Sequence, residues 1–257
     1  MKQYIIQKLK KNKFLHTHYI HFKHQLSHNF SFHGDIMFER AVKRIGKEIK
    51  VTSIVETGTF LGSTTKLFAR LFPEIPVYTC EIIKENYEKA KKILFKYPNI
   101  HVYHMSSPDF LNMLIKEKLL GEMPMFYLDA HWLDQWPLEQ EIKIISKEIK
   151  NSIVLIDDFK IPGNSTFAFD SYKDKECSLD RINPNIYKKN KYNLFFPNYD
   201  TQEAFRGVKK HEKFLVGYPI IFINYPNLFK RLLSDEFFKT YFIDKSEMIE
   251  KDNPSTE

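Results

Sequence analysis

Short apolar runs alternate along the chain with longer segments in which apolar residues recur every three or four positions. The short runs predict buried β-strands, and the longer segments predict amphipathic helices. The predicted strands are Ser53–Val55, Val77–Glu81, Ile100–His104, Met125–Leu128 and Ile153–Ile156. Strand and helix alternate five times, which predicts an α/β fold with a doubly wound, mostly parallel sheet.

The segments on either side of this alternation complete the predicted fold. Residues 1–50 predict an N-terminal helical cap, in which Asp35 is the N-cap of a helix that starts at Ile36. Residues 51–257 predict the main domain, with a polar insertion at 160–192 that would shape a substrate pocket. The remaining expectations are an antiparallel edge pair at Asn193–Tyr199 and Leu215–Asn224, a docking helix at Asn227–Phe242 and a polar tail at Ser246–Glu257.

Composition narrows the class of protein. The chain has 257 residues, 43% of them hydrophobic, which is enough to bury a full core. The net charge of +7 comes from 33 Lys and only 6 Arg, which argues against nucleic acid as a partner, because phosphate readers favour Arg. Two cysteines and the absence of a long apolar run favour a reduced, cytoplasmic protein without a membrane span. A homo-oligomer is left open.

Histidines are concentrated near the N-terminus. His21, His24 and His28 fall on one helical face, where a metal cluster is conceivable. No Cys, Asp or Glu accompanies them, and aromatic residues lie between them. An amphipathic cap laid over the domain is therefore the preferred interpretation.

The first predicted strand ends in a turn suited to ligand binding. Glu56, Gly58 and Gly62 stand in the spacing E-x-G-x-x-x-G, and hydroxyl residues open the next helix. Such a junction brings backbone N–H groups and a helix N-terminus close to a small polar ligand. The G-x-G-x-x-G fingerprint of a pyrophosphate site is missing. Glu81, which ends the second strand, suits the hydroxyl pair of a ribose.

Polar residues follow all five predicted strands. Because open α/β sheets bind ligands at the carboxyl ends of their strands, we expect these side chains to share one cleft. Each one taken alone also has a structural explanation, since such residues often end strands or cap helices. The set is Glu56, Glu81, Ser106, Ser107, Asp129, Asp157 and Asp158.

This order of motifs resembles the class I S-adenosylmethionine-dependent methyltransferases over about residues 53–163, and it implies their Rossmann-like sheet with an antiparallel edge strand. The resemblance implies that Gly58 and Gly62 admit the methionine part of the cofactor. It places Glu56 and Thr64 at the amino and carboxylate ends of that part. Phe60 would cover the sulfonium group, or would belong to the core.

The same resemblance assigns the adenosine half of the cofactor. It implies that Glu81 holds the ribose hydroxyls and that Ser106 or Ser107 lies near adenine, with Asp129 completing the site. The implied cofactor is S-adenosyl-L-methionine. The implied function is O-methyl transfer to a small polar metabolite, neutral or anionic, such as a sugar, a nucleotide-linked sugar or a phosphorylated precursor of a surface polysaccharide. The alternatives are an RNA methyltransferase and a non-catalytic scaffold.

Two segments are similar to the divalent-metal, catechol-type O-methyltransferases. They are the segment from Phe126 to Trp132 and the segment from Val154 to Gly163. The similarity implies that Asp129, Asp157 and Asp158 hold Mg²⁺, although Asp158 stands where the family has Asn. Carboxylates are the hard oxygen ligands that Mg²⁺ prefers. The alternative is that Asp157 caps the following turn and Asp158 forms a salt bridge.

The acceptor hydroxyl also needs a base. The family's Lys after the first metal-binding Asp is absent, since Trp132 and Leu133 occupy that place. His131 is the candidate base, because an imidazole titrates near neutral pH, and Asp134 is the reserve. A purely structural His131 is the alternative.

Three basic residues are candidate contacts for an anionic acceptor. They are Lys160, Arg181 and Arg206. Ordinary surface charge is the alternative for each of them.

Overall fold

The computed structural model describes residues 31–131, 136–172, 175–206 and 215–251. The strands in these ranges are β1 Ser53–Thr57, β2 Val77–Glu81, β3 Ile100–His104, β4 Pro124–Leu128, β5 Ser152–Ile156, β6 Ser171–Tyr172, β7 Lys175–Glu176, β8 Tyr192–Pro197, β9 Ile220–Ile223 and β10 Phe242–Asp244. The α-helices are α1 Ile36–Glu48, α2 Ser63–Leu71, α3 Lys84–Leu94, α4 Ser107–Lys116, α5 Leu138–Glu148, α6 Leu179–Ile182, α7 Thr201–Ala204, α8 Pro226–Ser234, α9 Glu236–Tyr241 and α10 Ser246–Lys251.

Eight of the strands form one sheet in the order β10-β8-β9-β5-β4-β1-β2-β3. Strands β1 to β5 are parallel and follow the doubly wound order 3-2-1-4-5. Strand β9 lies antiparallel between β5 and β8, and β10 adds a further antiparallel strand beyond β8. The predicted Rossmann-like sheet with an antiparallel edge is confirmed; β10 was not predicted.

The burial of each strand follows its place in the sheet. Strands β1, β2, β4 and β5 are buried at every residue, as expected for parallel strands covered on both faces. The edge strand β3 has no fully buried residue. The polar ends of the central strands therefore lie next to the core at one edge of the sheet.

The first helix belongs to the same core as the sheet. The carboxylate of Asp35 caps α1 by accepting the N–H groups of Met37 and Phe38, at 2.8 and 3.0 Å. Five apolar side chains of α1 are buried in the main core cluster. The predicted division into a cap and a main domain stays a prediction. The cluster of His21, His24 and His28 lies outside the described residues.

The C-terminal region departs from its predicted pattern. The single helix expected at Asn227–Phe242 is two helices, because Asp235 leaves the helical conformation and caps α9 through the N–H groups of Phe237 and Phe238. The expected polar tail forms α10 over 246–251, where Ile249 is buried. The cap formed by Asp235 and the burial of Ile249 explain why this region differs from the pattern of apolar and polar residues.

The polar insertion contributes to the core as well as to the surface. It contains the β6–β7 hairpin and α6, and its buried side chains include Phe167, Cys177, Leu179 and Ile182. Within the described ranges, no helix has both the length and the apolar character needed to cross a bilayer.

Candidate functional site

A small cavity lies at the carboxyl ends of β1, β4 and β5. Its volume is about 30 Å³, which is room for a few water molecules at most. The predicted site residues among its lining are Glu56, Gly58, Phe60, Thr64, Asp129 and Asp157. Phe32 and His33 from the segment before α1 close the other side. The predicted residues that do not line it are Gly62, Glu81, Ser106, Ser107, His131 and Asp158.

A larger groove of about 730 Å³ lies at the opposite edge of the sheet. It is lined by residues that precede β1 and β4, such as Thr52 and Met123, and by the start of α8. None of the predicted site residues lines this groove. The cavity at the carboxyl edge is therefore the candidate site.

Glu56 is buried at the end of β1, where it ties three elements together. The hydroxyl groups of Thr65 and Thr79 both donate to the same carboxylate oxygen, the second at 2.7 Å. Burial raises the pKa of Glu56 to about 7, although these two hydrogen bonds oppose the rise. Thr64, which was predicted to contact the amino-acid end of the cofactor, lines the cavity, whereas its neighbour Thr65 donates to Glu56.

Both glycines of the turn have left-handed backbones, and packing explains each of them. Gly58 has a φ of +88°, and a Cβ there would lie 2.2 Å from the carbonyl oxygen of Asp129. Gly62 has a φ of +75°, and a Cβ there would lie 2.8 Å from the side chain of Leu94. The backbone conformation and the neighbouring protein atoms therefore both favour glycine at these two positions. Their predicted contact with the methionine part of the cofactor stays a prediction.

Glu81 stabilises the β1–α2 turn from the end of β2. One carboxylate oxygen accepts the N–H of Phe60 at 2.9 Å and the other accepts the N–H of Ile83 at 2.8 Å. Burial raises the pKa of Glu81. These bonds hold Phe60 in its left-handed conformation, with a φ of +46°. The ribose assignment stays a prediction, since each oxygen retains a second lone pair.

The two predicted adenine-side serines begin α4. Ser106 is its N-cap, and its hydroxyl donates to Asp109 at 2.6 Å. Ser107 is buried and faces Glu141, a fully buried carboxyl group of α5. Burial raises the pKa of Glu141 to about 7. The nearby hydroxyl groups of Ser107 and Thr57 oppose this rise. Their geometry falls short of a standard hydrogen bond to the carboxyl oxygens of Glu141.

Glu141→Gln is expected to flatten the dependence of stability on pH. The folded-state pKa of about 7 exceeds the ordinary value of 4.5, so the folded protein binds more protons between these two values. Stability is therefore lost as pH rises from 4.5 to 7, by on the order of 3 kcal/mol for this group. Thermal melts across this range would measure the slope. Glu148→Gln, an exposed change on the same helix, should leave it unaltered; an equal slope in Glu141→Gln would contradict the assignment.

His33, Asp157 and Asp158 form a buried cluster beside the cavity. The Nε2 atom of His33 lies 3.2 Å from Oδ2 of Asp157 and 3.8 Å from Oδ1 of Asp158. The other oxygen of Asp157 accepts the N–H of Asp158 at 2.9 Å. Asp158 has a φ of +48°, so the chain turns sharply after β5. We call these three residues the His33 cluster.

Charge interactions separate the pKa values of the acidic residues. His33 and the Tyr127 hydroxyl lower the pKa of Asp157 to about 2 against the effect of burial. Burial and the negative charge of Asp157 raise the pKa values of Asp129 and Asp158 well above the usual range. Asp157 and Asp158 raise the pKa of His33 to about 9 although burial opposes it. The cluster therefore holds an imidazolium against an ionised Asp157 at neutral pH.

The predicted magnesium ligands only partly coincide with this cluster. Among the described residues, one group has potential ligand atoms that all lie within 4.8 Å of one another, and it is the His33 cluster. Asp129 is not a member of it. Because Mg²⁺ takes oxygen ligands and His33 already bonds to Asp157, the arrangement fits an internal ion pair better than a magnesium ion. The metal stays a prediction.

His131 is buried directly after the end of β4. Among the described residues, neither ring nitrogen makes a hydrogen bond of standard geometry, and the ring lies 5.6 Å from that of Trp136. Burial lowers the pKa of His131, so the imidazole is neutral at pH 7. It does not line the cavity. Trp132, Leu133 and the reserve base Asp134 lie outside the described residues.

The basic residues predicted to contact an anion have other surroundings. Lys160 pairs with Glu176 at 2.7 Å, and Arg181 pairs with Glu139 at 2.6 Å. Arg206 is exposed and borders a stretch outside the described residues. None of the three lines the cavity.

Sequence reasoning missed two residues near the site. His33 is one of several N-terminal histidines, and nothing in its spacing points to a partner 124 positions away. Asp170 lies in the polar insertion, and its charge acts on His33, Asp129 and Asp158. The backbone N–H of Asp170 donates to the carbonyl of Asp158 at 2.8 Å, so Asp170 lies next to the end of β5.

Comparison with known proteins finds likeness in structure only. No protein-family model matches the chain, and no curated protein sequence does.

An O-methyltransferase of Bacillus cereus in complex with SAH has 14% identity and a TM-score of 0.47, over 72% of this chain and 78% of its own. A Staphylococcus aureus protein named as a caffeoyl-CoA O-methyltransferase has 14% identity and a TM-score of 0.48, over 74% and 84%. Spermidine synthase of Thermotoga maritima has 10% identity and a TM-score of 0.49, over 76% and 62%. Similarity at this level does not decide the activity of the chain.

Proposed function

We propose that the chain is an S-adenosylmethionine-dependent O-methyltransferase that acts on a hydroxyl group of a small polar metabolite. The observation that carries the proposal is the cavity, where the β1–α2 turn meets the ends of β4 and β5. Glu56, Phe60 and Thr64 line it from one side, and Asp129 and Asp157 line it from the other. A sheet in the order 3-2-1-4-5 binds its ligands at this edge.

The β1–α2 turn would bind the amino-acid end of the cofactor. Ser63 and Thr64 begin α2 and line the cavity, so the positive end of the helix faces the place for a carboxylate. The carboxyl group of Glu56 would accept the ammonium group, and Phe60 would cover the sulfonium group. The cavity of about 30 Å³ is smaller than this ligand, so binding would require the Phe32–His33 side to open.

Methyl transfer is an in-line displacement, in which positioning contributes much of the rate and the acceptor must lose a proton. Asp129 lines the cavity, and its carboxyl group would take this proton when it is ionised. His131 is the second candidate, because its imidazole is neutral and its nitrogens make no hydrogen bond of standard geometry within the described ranges. It would have to become accessible to the acceptor.

The described charges favour a neutral, hydroxyl-rich acceptor over a phosphorylated one. Glu56, Asp129 and Asp157 line the cavity, whereas Lys160 and Arg181 are paired with carboxylates elsewhere. Carboxyl groups form hydrogen bonds with hydroxyl groups, and the imidazole of His33, which also lines the cavity, is already paired with Asp157. A sugar or a sugar-containing precursor of a surface polysaccharide fits this lining.

Calorimetric titration with S-adenosylhomocysteine tests the proposal. We expect binding by the wild-type protein and no comparable binding of NAD⁺, because the turn lacks the pyrophosphate fingerprint. Glu81→Gln is expected to weaken binding by roughly tenfold, since a carboxylate accepts stronger hydrogen bonds from a ribose than an amide does. Glu74→Gln, an exposed change before β2, is the matched control. Absence of binding would contradict the proposed function, and unchanged binding by Glu81→Gln would contradict only the ribose assignment.

A further inference from the structure

We propose that His33 is a built-in counter-ion, whose side chain takes the position between Asp157 and Asp158 that a divalent cation would otherwise occupy. His33 is then a positioning residue: it holds the two carboxyl groups in place beside Asp129. The inference goes beyond the proposed methyl transfer, since it concerns the protein without cofactor or acceptor.

The geometry of the His33 cluster supports this role. The Nε2 atom of His33 lies 3.2 and 3.8 Å from oxygens of two different carboxyl groups. All three side chains are largely buried, with exposed fractions of 6%, 2% and 10%. A magnesium ion would bind such oxygens at about 2.1 Å and would need the space that the imidazole fills. The two occupants therefore exclude each other.

The conformation of the segment before α1 places the side chain of His33 beside the two carboxyl groups. Phe32, His33 and Gly34 are consecutive left-handed residues, with φ values of 49°, 52° and 82°. A left-handed non-glycine residue costs roughly 1–2 kcal/mol, so such a run persists only where the surroundings enforce it. Phe32 is 1% exposed, with its ring packed against those of Phe38 and Tyr127.

A second contact attaches the same turn to the cofactor side of the site. The hydroxyl of Ser31 donates to the carbonyl of Ser63 at 2.8 Å, and Ser63 begins α2 and lines the cavity. His33 thus approaches the carboxyl groups from a turn that is anchored both in the core and at α2. The placement of His33 does not depend on its own ion pair alone.

The charges around His33 explain why a cation is needed there. Asp157, Asp158 and Asp170 all act on it, and all three lie at or near the end of β5 or in the insertion that follows. Removing one partner of a buried ion pair leaves an uncompensated charge and is strongly destabilising. A neutral residue at position 33 should therefore create a demand for another cation.

The test compares metal responses of wild-type protein and His33→Asn without cofactor. Asn tolerates left-handed backbone, so the variant removes the charge and avoids added strain. We expect the melting temperature of the wild type to be the same in EDTA and in roughly 10 mM MgCl₂. We expect His33→Asn to melt lower in EDTA and to regain roughly 3 °C or more in MgCl₂. Titration with MnCl₂ should show at least a tenfold tighter binding by His33→Asn than by wild type.

Three further variants separate a counter-ion from a merely structural side chain. His33→Lys keeps a positive charge, so its melting temperature should be the same in EDTA and in MgCl₂, as in the wild type. His101→Asn, an exposed change on β3, should not respond to MgCl₂. The double variant His33→Asn with Asp157→Asn removes the imidazolium and the ionised carboxylate that faces it, and it should fold in EDTA and show no change in melting temperature in MgCl₂. It decides the matter if His33→Asn alone does not fold.

Three results would overturn the inference. The first is a wild-type protein that binds Mn²⁺ tightly and loses this binding in His33→Asn, because His33 would then be a ligand. The second is a His33→Asn protein that is as stable as the wild type in EDTA. The third is a double variant that fails to fold. None of these measurements requires S-adenosylhomocysteine, so their outcome is independent of the proposed function.

Discussion

Gly58→Ala is expected to lower the free energy of unfolding by roughly 3 kcal/mol or more. Two physical effects add at this position. The residue has a φ of +88°, and an added methyl group would lie 2.2 Å from the carbonyl oxygen of Asp129. Neither the end of β1 nor the end of β4 can move easily, because the N–H of Asp129 donates to the carbonyl of Thr57 at 3.0 Å. Denaturant unfolding followed by circular dichroism measures the change.

Gly163→Ala provides the matched control for Gly58→Ala. Its φ is +72°, so the backbone strain of an added methyl group is similar, but nothing lies within 4 Å of the added carbon. We expect a loss of about 1 kcal/mol at this position. Equal losses in the two variants would show that the approach of Gly58 to Asp129 adds nothing.

Phe32→Ala is expected to cost about 3–5 kcal/mol of stability, the usual range for removing a fully buried aromatic ring. The ring is 1% exposed and lies between 4.9 and 6.2 Å, centroid to centroid, from Phe38, Phe68, Tyr127 and Tyr218. The variant also frees the turn that carries His33. Denaturant unfolding again gives the magnitude.

Phe95→Ala is the comparison for this change. Its side chain is 83% exposed, so its loss should alter stability by less than about 0.5 kcal/mol. A loss of under about 1 kcal/mol in Phe32→Ala would mean that the turn before α1 does not pack against the core.

The sheet could be predicted because its signals are local. Val77–Glu81 and Ile100–His104 occupy the residues expected from the apolar runs alone. Five such runs separated by helical segments leave few topologies, since parallel strands require crossovers. The order of the sheet and the edge at which polar residues collect follow from that constraint.

The candidate site was only partly predictable, because its remaining features depend on contacts between distant residues. The spacing of Gly58 and Gly62 indicated a turn, but the chain atoms that crowd each glycine come from the end of β4 and from α3. His33 reaches Asp157 through a left-handed turn that no sequence pattern identifies. Glu81 proved to bond to backbone N–H groups, which a pattern of residue types does not encode.

The connection of α1 to the last third of the chain has a consequence for how the protein is made. The hydroxyl of Tyr199 donates to Asp35 across 164 positions, Arg231 donates to the carbonyl of Glu48 across 183, and Arg44 pairs with Asp235 across 191. During synthesis, α1 therefore leaves the ribosome long before these partners exist. These three contacts can form only after most of the chain has been translated, and contacts of such large sequence separation favour slow, late completion of folding.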